Sequence, residues 1–328
     1  MTALVLAAAL LVLLGVGATA GPRVLDGLGP AFSARPRLGM AIWTISAAIW
    51  TLAFLALGPL LTWSFTGAGL PGQVGAVCRR CLAAANPLSG LSPMWTTDVP
   101  ALAMLLIPSS LAVGLVTAAI VRRARSREHL RAHVHALAVV AEQRILEGTR
   151  VWLTPAMDRT VYSLPTRGAR VVISQGALDV LSPDQVTAVL SHERTHIRQR
   201  HHLLLWALRS LQDVLRPVPL ISAAAPAVAA LAEMAADDRA RHASGTRALA
   251  GALLALHGSG PGSVPGAPEL ALHTDAPDTR VRIRRLAEAS PPASRRLAAL
   301  TGAYLVAMTV AIALIVTPYA SLALKGTC

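Results

Sequence analysis

The sequence predicts an α-helical integral membrane protein that carries an α+β domain between its third and fourth spans. Hydrophobic residues make up 54% of the 328 residues, above the share of about 45–50% that is usual in soluble domains. The excess is concentrated in four long stretches with very little charge. A charged segment of the chain, which holds most of the histidines, separates the last two of these stretches.

Four stretches are long enough to cross a hydrocarbon core, which needs roughly 20 apolar residues. They lie at about 4–20, 38–63, 101–121 and 297–320. We therefore expect an N-terminal membrane region of three helices (1–121), a polar domain (122–296), and a fourth helix with a short tail (297–328). This organisation predicts a multi-pass protein of the plasma membrane whose direct surroundings include the lipid bilayer.

Arginines next to the spans predict the orientation, because cytoplasmic loops retain basic residues near membrane helices. Five arginines lie between 122 and 131, directly after the third stretch, and four lie between 284 and 296, directly before the fourth. Both ends of the polar domain are thus expected in the cytoplasm, and both chain termini outside. The alternative is that the first stretch is a cleaved signal peptide, because Ala18-Thr19-Ala20 resembles a cleavage site. That stretch lacks a basic start, and cleavage would place the domain outside, against the charge rule.

Two cysteines lie in the loop that is predicted to be outside. Cys78 and Cys81 enclose two arginines, and in an oxidising exterior they could form a disulfide or remain free thiols. Two thiols are too few for a zinc site. Cys328, at the end of the chain on the same predicted side, has no assigned role.

The net charge of +13 does not indicate a nucleic-acid surface. All but one of the 30 basic residues are arginines, a bias typical of a GC-rich genome. No aromatic interleaving or recognition motif accompanies the arginines. Direct nucleic-acid binding is therefore not expected.

A helix with a well-defined start carries the first chemical motif. Ser182 can cap it, Pro183 suits its first position, and Gln185 can complete a capping box. The helix is predicted to run from Pro183 to about Arg198. His192 and His196, four residues apart, project from one face and can bind one metal ion. Glu193 lies about 100° round the helix, where a carboxylate can act on a water molecule at that metal.

A second acidic pair supports the metal site. Glu233 and Asp237 are also four residues apart, on a helix that is expected to begin after Pro226. They can serve as a third ligand and as a carboxylate that orients a ligand. The alternative is a solvent-facing acidic stripe, since Asp238 and Arg239 follow.

These motifs resemble the membrane zinc metallopeptidases typified by the BlaR and MecR antirepressors. The resemblance rests on 190–196, on the histidines at 201 and 202, and on 233–238, together with three spans, a cytoplasmic domain and a fourth span. It implies a zincin-like (gluzincin) domain with one zinc ion per chain. The ligands would be His192, His196 and Glu233, with Glu193 as catalytic carboxylate. Membrane peptidases of the HtpX and Ste24 type share the second motif and remain an alternative.

The sequence departs from the antirepressors after the fourth span. Those proteins continue into an extracellular penicillin-binding sensor domain, whereas only 321–328 follow here. A β-lactam signal is therefore not implied. What carries over is the peptidase module, including Asp237 as the carboxylate that orients a histidine ligand.

Further residues have weaker assignments. A strand is expected at 170–174. In the zinc proteases that the sequence resembles, an edge strand pairs with the substrate backbone, and we predict that this segment is that strand, with an interior strand as the alternative. Arg280 and His273 are candidates for oxyanion stabilisation or substrate contact, although a solvated basic helix explains them equally well. The stretch 203–220 is interpreted as an amphipathic helix at the bilayer surface. His201 and His202 are expected in helix packing or beside the ligands rather than on zinc.

The sequence therefore predicts a membrane zinc metalloendopeptidase that hydrolyses peptide bonds of a protein substrate. By the resemblance, that substrate is a DNA-binding transcriptional repressor, which would place the protein in signal transduction, or a membrane protein. Three alternatives remain: a non-catalytic zinc sensor or scaffold, a quality-control protease of the HtpX and Ste24 type, and a membrane transport or assembly component. The intact Glu193 argues against the scaffold, because binding alone does not need it. The scarcity of polar residues within the spans argues against transport.

Overall fold

The computed structural model describes residues 2–66, 99–165, 171–256 and 279–288, with short helical pieces at 299, 302–304, 306–310 and 313. The two loop cysteines, Cys328 and His273 lie outside the described residues. So does most of the fourth predicted span.

The N-terminal region is built from long helices. Helix α1 covers Thr2–Gly27, α2 covers Gly29–Ala34, α3 covers Pro36–Thr66 and α4 covers Val99–Val140. Within α1 and α3, Leu10–Gly27 and Pro36–Ala56 are long and apolar enough to cross a membrane. These two segments overlap the first two predicted spans.

The third predicted span forms the first half of α4. The helix continues well past 121 without a break and carries the basic residues from 122 to 131 with it. No proline or glycine interrupts this stretch, so nothing in the sequence ends the helix where the apolar residues stop. The span and the basic segment are thus one continuous helix.

A four-stranded sheet follows α4. Its strands are β1 (Glu142–Leu146), β2 (Thr149–Thr154), β3 (Val161–Ser163) and β4 (Val171–Ser174), in the order β1-β2-β4-β3. A two-residue turn joins β1 to β2, with positive φ at Glu147 and Gly148. Positive φ at both positions is what a type I′ hairpin turn requires.

The prediction that 170–174 is an edge strand is wrong. The segment does form β4, but β4 pairs in parallel with β2 on one side and antiparallel with β3 on the other. All four of its residues are buried. A run of four apolar or small residues is typical of an interior strand, buried on both faces.

Six helices complete the described chain. They are α5 (Gln175–Val180), α6 (Pro183–Arg198), α7 (His201–Leu215), α8 (Pro219–Ser244), α9 (Thr246–Leu256) and α10 (Thr279–Ala287). Helix α7 ends five residues before the predicted end at 220, because Pro217 and Pro219 cannot continue it. The apolar face of α7 contributes Leu205, Leu208 and Leu215 to the interior core.

Helix α8 is the centre of the fold. It starts at Pro219, seven residues earlier than expected, and Pro226 lies inside it rather than before it. The helix packs against α1, α3, α6 and α7. One continuous core therefore includes Trp43 from the membrane region and Leu231 from α8.

Helix α8 is also apolar and long enough to cross a membrane, which the sequence analysis did not anticipate. Of its residues, 61% are buried within the protein, against 22% for the segment of α1. Close packing on other helices accounts for its apolar composition, because small residues such as Ala224, Ala232 and Ala236 let neighbouring helices approach.

Candidate metal centre

Helix α6 presents the first two candidate ligands from a firmly fixed start. The Ser182 hydroxyl accepts a hydrogen bond from the Gln185 backbone N–H, and the Gln185 side chain accepts one from the Ser182 backbone N–H. The predicted capping box and helix bounds are thus confirmed. His192 and His196 are buried on the face that meets α8.

Helix α8 brings the third ligand to the same point. The Nε2 atoms of His192 and His196 lie 3.1 Å apart. A Glu233 carboxylate oxygen lies 3.4 Å from each of them, Oε2 from His192 and Oε1 from His196. Among the described residues, these three form the one group of three or more potential metal-binding side chains.

Asp237 and Arg282 surround this group from one side. Oδ1 of Asp237 lies 3.0 Å from Nδ1 of His192. Arg282, from α10, donates from Nε to Oδ2 of Asp237 at 2.8 Å and from Nη2 to Oδ1 at 2.5 Å. Its Nη1 lies 3.2 Å from Oε2 of Glu233. The predicted acidic pair is thus fully buried rather than solvent-facing.

His201 lies beside His196 as Asp237 lies beside His192. Its Nδ1 lies 3.0 Å from Nδ1 of His196, and its Nε2 lies 3.2 Å from Oε1 of Gln199. In one proton arrangement His196 donates from Nδ1 to Nδ1 of His201, which donates from Nε2 to Oε1 of Gln199. In that arrangement Nε2 of His196 keeps its lone pair for a metal.

The electrostatics of the site favour positive charge at the point where the ligands meet. Burial alone lowers the pKa of His192, but the carboxylates of Asp237 and Glu233 outweigh burial and raise this pKa to about 10. For His201, burial and the neighbouring His196 lower the pKa to about 3, which keeps that ring neutral. Asp237 and Glu233 also raise the pKa of Arg282 despite its burial.

These residues fit a zinc ion. Neither carboxylate oxygen of Glu233 makes a hydrogen bond within the described structure, although Oε2 is ion-paired with Arg282. The Nε2 atoms of the two histidines meet 3.1 Å apart, where a shared proton or a bound metal ion can join them. In a tetrahedral site with bonds of about 2.0–2.1 Å, ligand atoms lie roughly 3.3 Å apart. One atom from each of the three residues lies within 4.8 Å of the others, close enough to share one ion. Two imidazoles and one carboxylate also leave a fourth position, as in catalytic zinc sites.

Of the remaining predicted site residues, Glu193 lies beside the metal centre and Arg280 does not. Glu193 is buried, with 4% of its surface exposed, on the turn of α6 that carries the two histidines. Arg280 lies on the exposed side of α10. Outside the metal centre, the buried His133 of α4 has its Nε2 2.6 Å from the Tyr162 hydroxyl.

Sequence reasoning missed Arg282 and chose Arg280, its neighbour on the same helix. One signal could have distinguished them. Arg282 lies four residues before Leu286 and so shares its face, and both are buried. An arginine on the apolar face of a short basic helix needs a buried acidic partner. Glu233 and Asp237, the acidic pair already assigned to the site, could serve as that partner.

The fold and the site define a zinc metallopeptidase domain of the His-Glu-x-x-His class attached to membrane helices. Comparison with known families agrees. Residues 124–256 match the model of Peptidase family M48, and both helices that bear ligands lie within this range. Over this range the chain is similar to the peptidase domains of that family.

The match to individual proteins is short. The chain is 38% identical over 47 residues to a protein described as "Protease HtpX homolog" from Thermoplasma acidophilum. The aligned segment covers 14% of this chain and 15% of that protein. No solved structure matches the chain.

Proposed function

We propose that this protein is a membrane-bound zinc endopeptidase that hydrolyses peptide bonds of protein substrates. The convergence of His192, His196 and Glu233 with ligand-to-ligand spacings that suit zinc is the observation that carries the proposal. A purely structural zinc site would be closed by a fourth protein ligand, and the described residues supply three.

Glu193 is the group that moves the proton. It directly follows the ligand His192 on α6 and is buried. From there its carboxylate takes a proton from the attacking water and delivers it to the leaving amine. When bound, zinc supplies a Lewis acid for the scissile carbonyl and makes the attacking water more acidic.

The surrounding residues hold the ligands in place. Oδ1 of Asp237 lies 3.0 Å from Nδ1 of His192, close enough to take the proton of that nitrogen and so direct the lone pair at Nε2 toward the metal. Arg282 neutralises and orients the Asp237 carboxylate. His201 performs the matching role for His196, and the burial of both partners keeps water from competing with these contacts.

The substrate backbone pairs with β3 rather than β4 in this proposal. Strand β3 has a paired neighbour, β4, on one side within the described sheet, and it packs against α6. An extended peptide can therefore be added to its other side by main-chain hydrogen bonds. The carbonyls of such a peptide would run beside the metal-binding helix.

Membrane proteins are the substrate class that we propose. The centre of the domain, α8, shares one hydrophobic core with residues from both α1 and α3. The metal centre is thus held close to the membrane helices, where segments of other membrane proteins are concentrated. The resemblance to antirepressors adds a DNA-binding repressor as a second candidate.

Chelation tests the zinc-dependent activity. Full-length protein in a neutral detergent is assayed with casein, treated with 1,10-phenanthroline, and resupplied with Zn²⁺. We expect cleavage to stop and then return. Cleavage that persists after the zinc content has fallen to zero would exclude this chemistry.

A comparison of cells distinguishes the two substrate classes. Peptide fragments are quantified in membrane and soluble fractions of cells that produce wild type or Glu193→Gln. Fragments of membrane proteins that need Glu193 support the proposal. Fragments of a soluble DNA-binding protein alone would favour the repressor.

The orientation is also a proposal: the peptidase domain faces the cytoplasm and the N-terminus lies outside. The arginines that follow 121 on α4 support it. An alkaline phosphatase fusion after Arg127 should be inactive, because that enzyme needs the oxidising exterior. An active fusion would reverse the orientation.

A further inference from the structure

A strongly basic cavity lies on the side of α6 away from Glu193. It has a volume of about 590 Å³, and its lining includes four arginines and a histidine, namely Arg37, Arg194, Arg198, Arg239 and His242. A second cavity of about 450 Å³ shares Arg37, Arg239 and His242 with it and adds apolar wall from Leu38 and Ala235. We call the two together the basic cavity.

The basic cavity is separate from the proposed peptidase cleft. A helix turns about 100° per residue, so the side chains of α6 that line the cavity point on average roughly 150° away from Glu193. They are Ser191, Arg194, Thr195 and Arg198. The basic cavity and the Glu193 carboxylate thus lie on different faces of α6.

Acidic partners for the arginines of the basic cavity are missing among the described residues. Within the described part of the chain, no carboxylate forms an ion pair with Arg37, Arg198 or Arg239. Asp238 is the acid in the lining, and it is engaged by Arg285 at 2.8 Å and more loosely by Arg241 at 3.8 Å. Uncompensated positive charge of this kind attracts an anion.

The position of the basic cavity identifies the kind of anion. Arg37 is the second residue of α3, at the end of the candidate span Pro36–Ala56. From Leu38, an exposed apolar face continues along this helix through Ile45 and Leu52, which are 42%, 49% and 63% exposed. Residues seven apart share one helix face, so an apolar track leads from the cavity along the span.

We propose that the basic cavity binds the headgroup of an anionic phospholipid. Its phosphate is held by Arg37, Arg198 and Arg239, whose planar guanidinium groups suit phosphate oxygens. Its acyl chains lie along the track that begins at Leu38. Free phosphate offers the same charge but has nothing to occupy the track, so the lipid is the occupant that matches both halves of the site.

Native mass spectrometry of the full-length protein in a neutral detergent tests this inference. The protein is titrated separately with short-chain phosphatidylglycerol, short-chain phosphatidylcholine and inorganic phosphate. The test variant is Arg198→Gln/Arg239→Gln, and the matched control is Arg150→Gln/Arg247→Gln, two exposed arginines outside the basic cavity. Zinc content and thermal denaturation verify that each variant is folded.

We expect saturable binding of phosphatidylglycerol by wild type and by the control. Each arginine contributes about fivefold to the affinity for an anionic lipid, equivalent to ~1 kcal/mol, so the double variant should bind about 25-fold more weakly. If the double variant does not fold, the single variant Arg239→Gln should show about a fivefold loss.

Three results would overturn the proposal. The first is equal affinity for phosphatidylcholine and phosphatidylglycerol. The second is unchanged phosphatidylglycerol binding in a folded test variant. The third is inorganic phosphate that binds as tightly as the lipid, which would make the site one for the free anion. None of these results depends on peptidase activity, so the proposed function is tested independently.

Discussion

Arg282 donates two hydrogen bonds to the carboxylate of Asp237, of 2.8 Å to Oδ2 and 2.5 Å to Oδ1. The same Oδ1 lies 3.0 Å from Nδ1 of His192. A metal ligand on α6, an acid on α8 and an arginine on α10 thus form one buried chain. Three separate segments of sequence are joined at the metal centre by this contact.

Replacement of Arg282 by Gln should weaken zinc binding. The variant leaves Asp237 buried without its cation and frees it to turn away from His192, and loss of such a supporting contact typically costs roughly 10- to 100-fold in metal affinity. Zinc affinity is measured by competition with a chromogenic chelator. Arg280→Gln, on the exposed side of the same helix, is the comparison. If Arg280→Gln loses zinc and Arg282→Gln keeps it, the assignment is reversed.

Replacement of His201 by Phe should also weaken zinc binding, by the same roughly 10- to 100-fold. Phe fills the buried space but cannot accept the proton on Nδ1 of His196, so that ring loses its orientation. His202→Phe, a half-buried neighbour on α7, is the matched control. Equal zinc affinity in the two variants would show that His201 serves packing alone.

His133 should make the fold less stable in acid. Burial lowers its pKa from the ordinary value of 6.5, so the unfolded chain takes up a proton that the folded protein resists. Stability therefore falls as pH drops below about 6.5, and it is unaffected by this group above that value. Thermal denaturation across this range should show a smaller decline for His133→Asn than for wild type. An identical decline would rule out this contribution.

Gly39→Ala should destabilise the contact between the membrane helices and α8. An added Cβ would lie 2.8 Å from Cβ of Phe32 and 2.9 Å from Cδ1 of Leu231, and such overpacking costs ~1–3 kcal/mol. Gly27→Ala is the control, since an added Cβ there meets nothing within 4 Å. Equal melting temperatures for Gly39→Ala and Gly27→Ala would show that the contact between α3 and α8 accommodates the added methyl group without loss of stability.

Local signals made part of this fold predictable. The cap at Ser182 and the proline at 183 define the start of α6 by chemistry that acts within one turn. The first two apolar stretches are likewise long enough to be recognised without any partner. Strand β4 was predicted at the right place but with the wrong neighbours, because pairing depends on β2 and β3, and four residues do not encode that choice.

In the metal centre, too, the residues placed by spacing within one helix were predictable, and a residue placed by packing between helices was not. His192 and His196 follow from spacing on one helix, and Glu233 and Asp237 follow from the same spacing on a second. His201 was expected in helix packing or beside the ligands, and it lies beside His196. Arg282 was missed, because its role depends on how α10 packs against the ligand helices. The start of α8 was predicted seven residues too late, because Pro226 was expected to precede the helix and instead lies within it.

The comparison of wild type with Glu193→Gln tests the central claim most directly. Zinc content and casein cleavage are measured on the same purified, full-length preparations. We expect equal zinc in both proteins and cleavage by wild type alone, since Gln cannot take a proton from the attacking water. Equal cleavage by the two proteins would contradict the account.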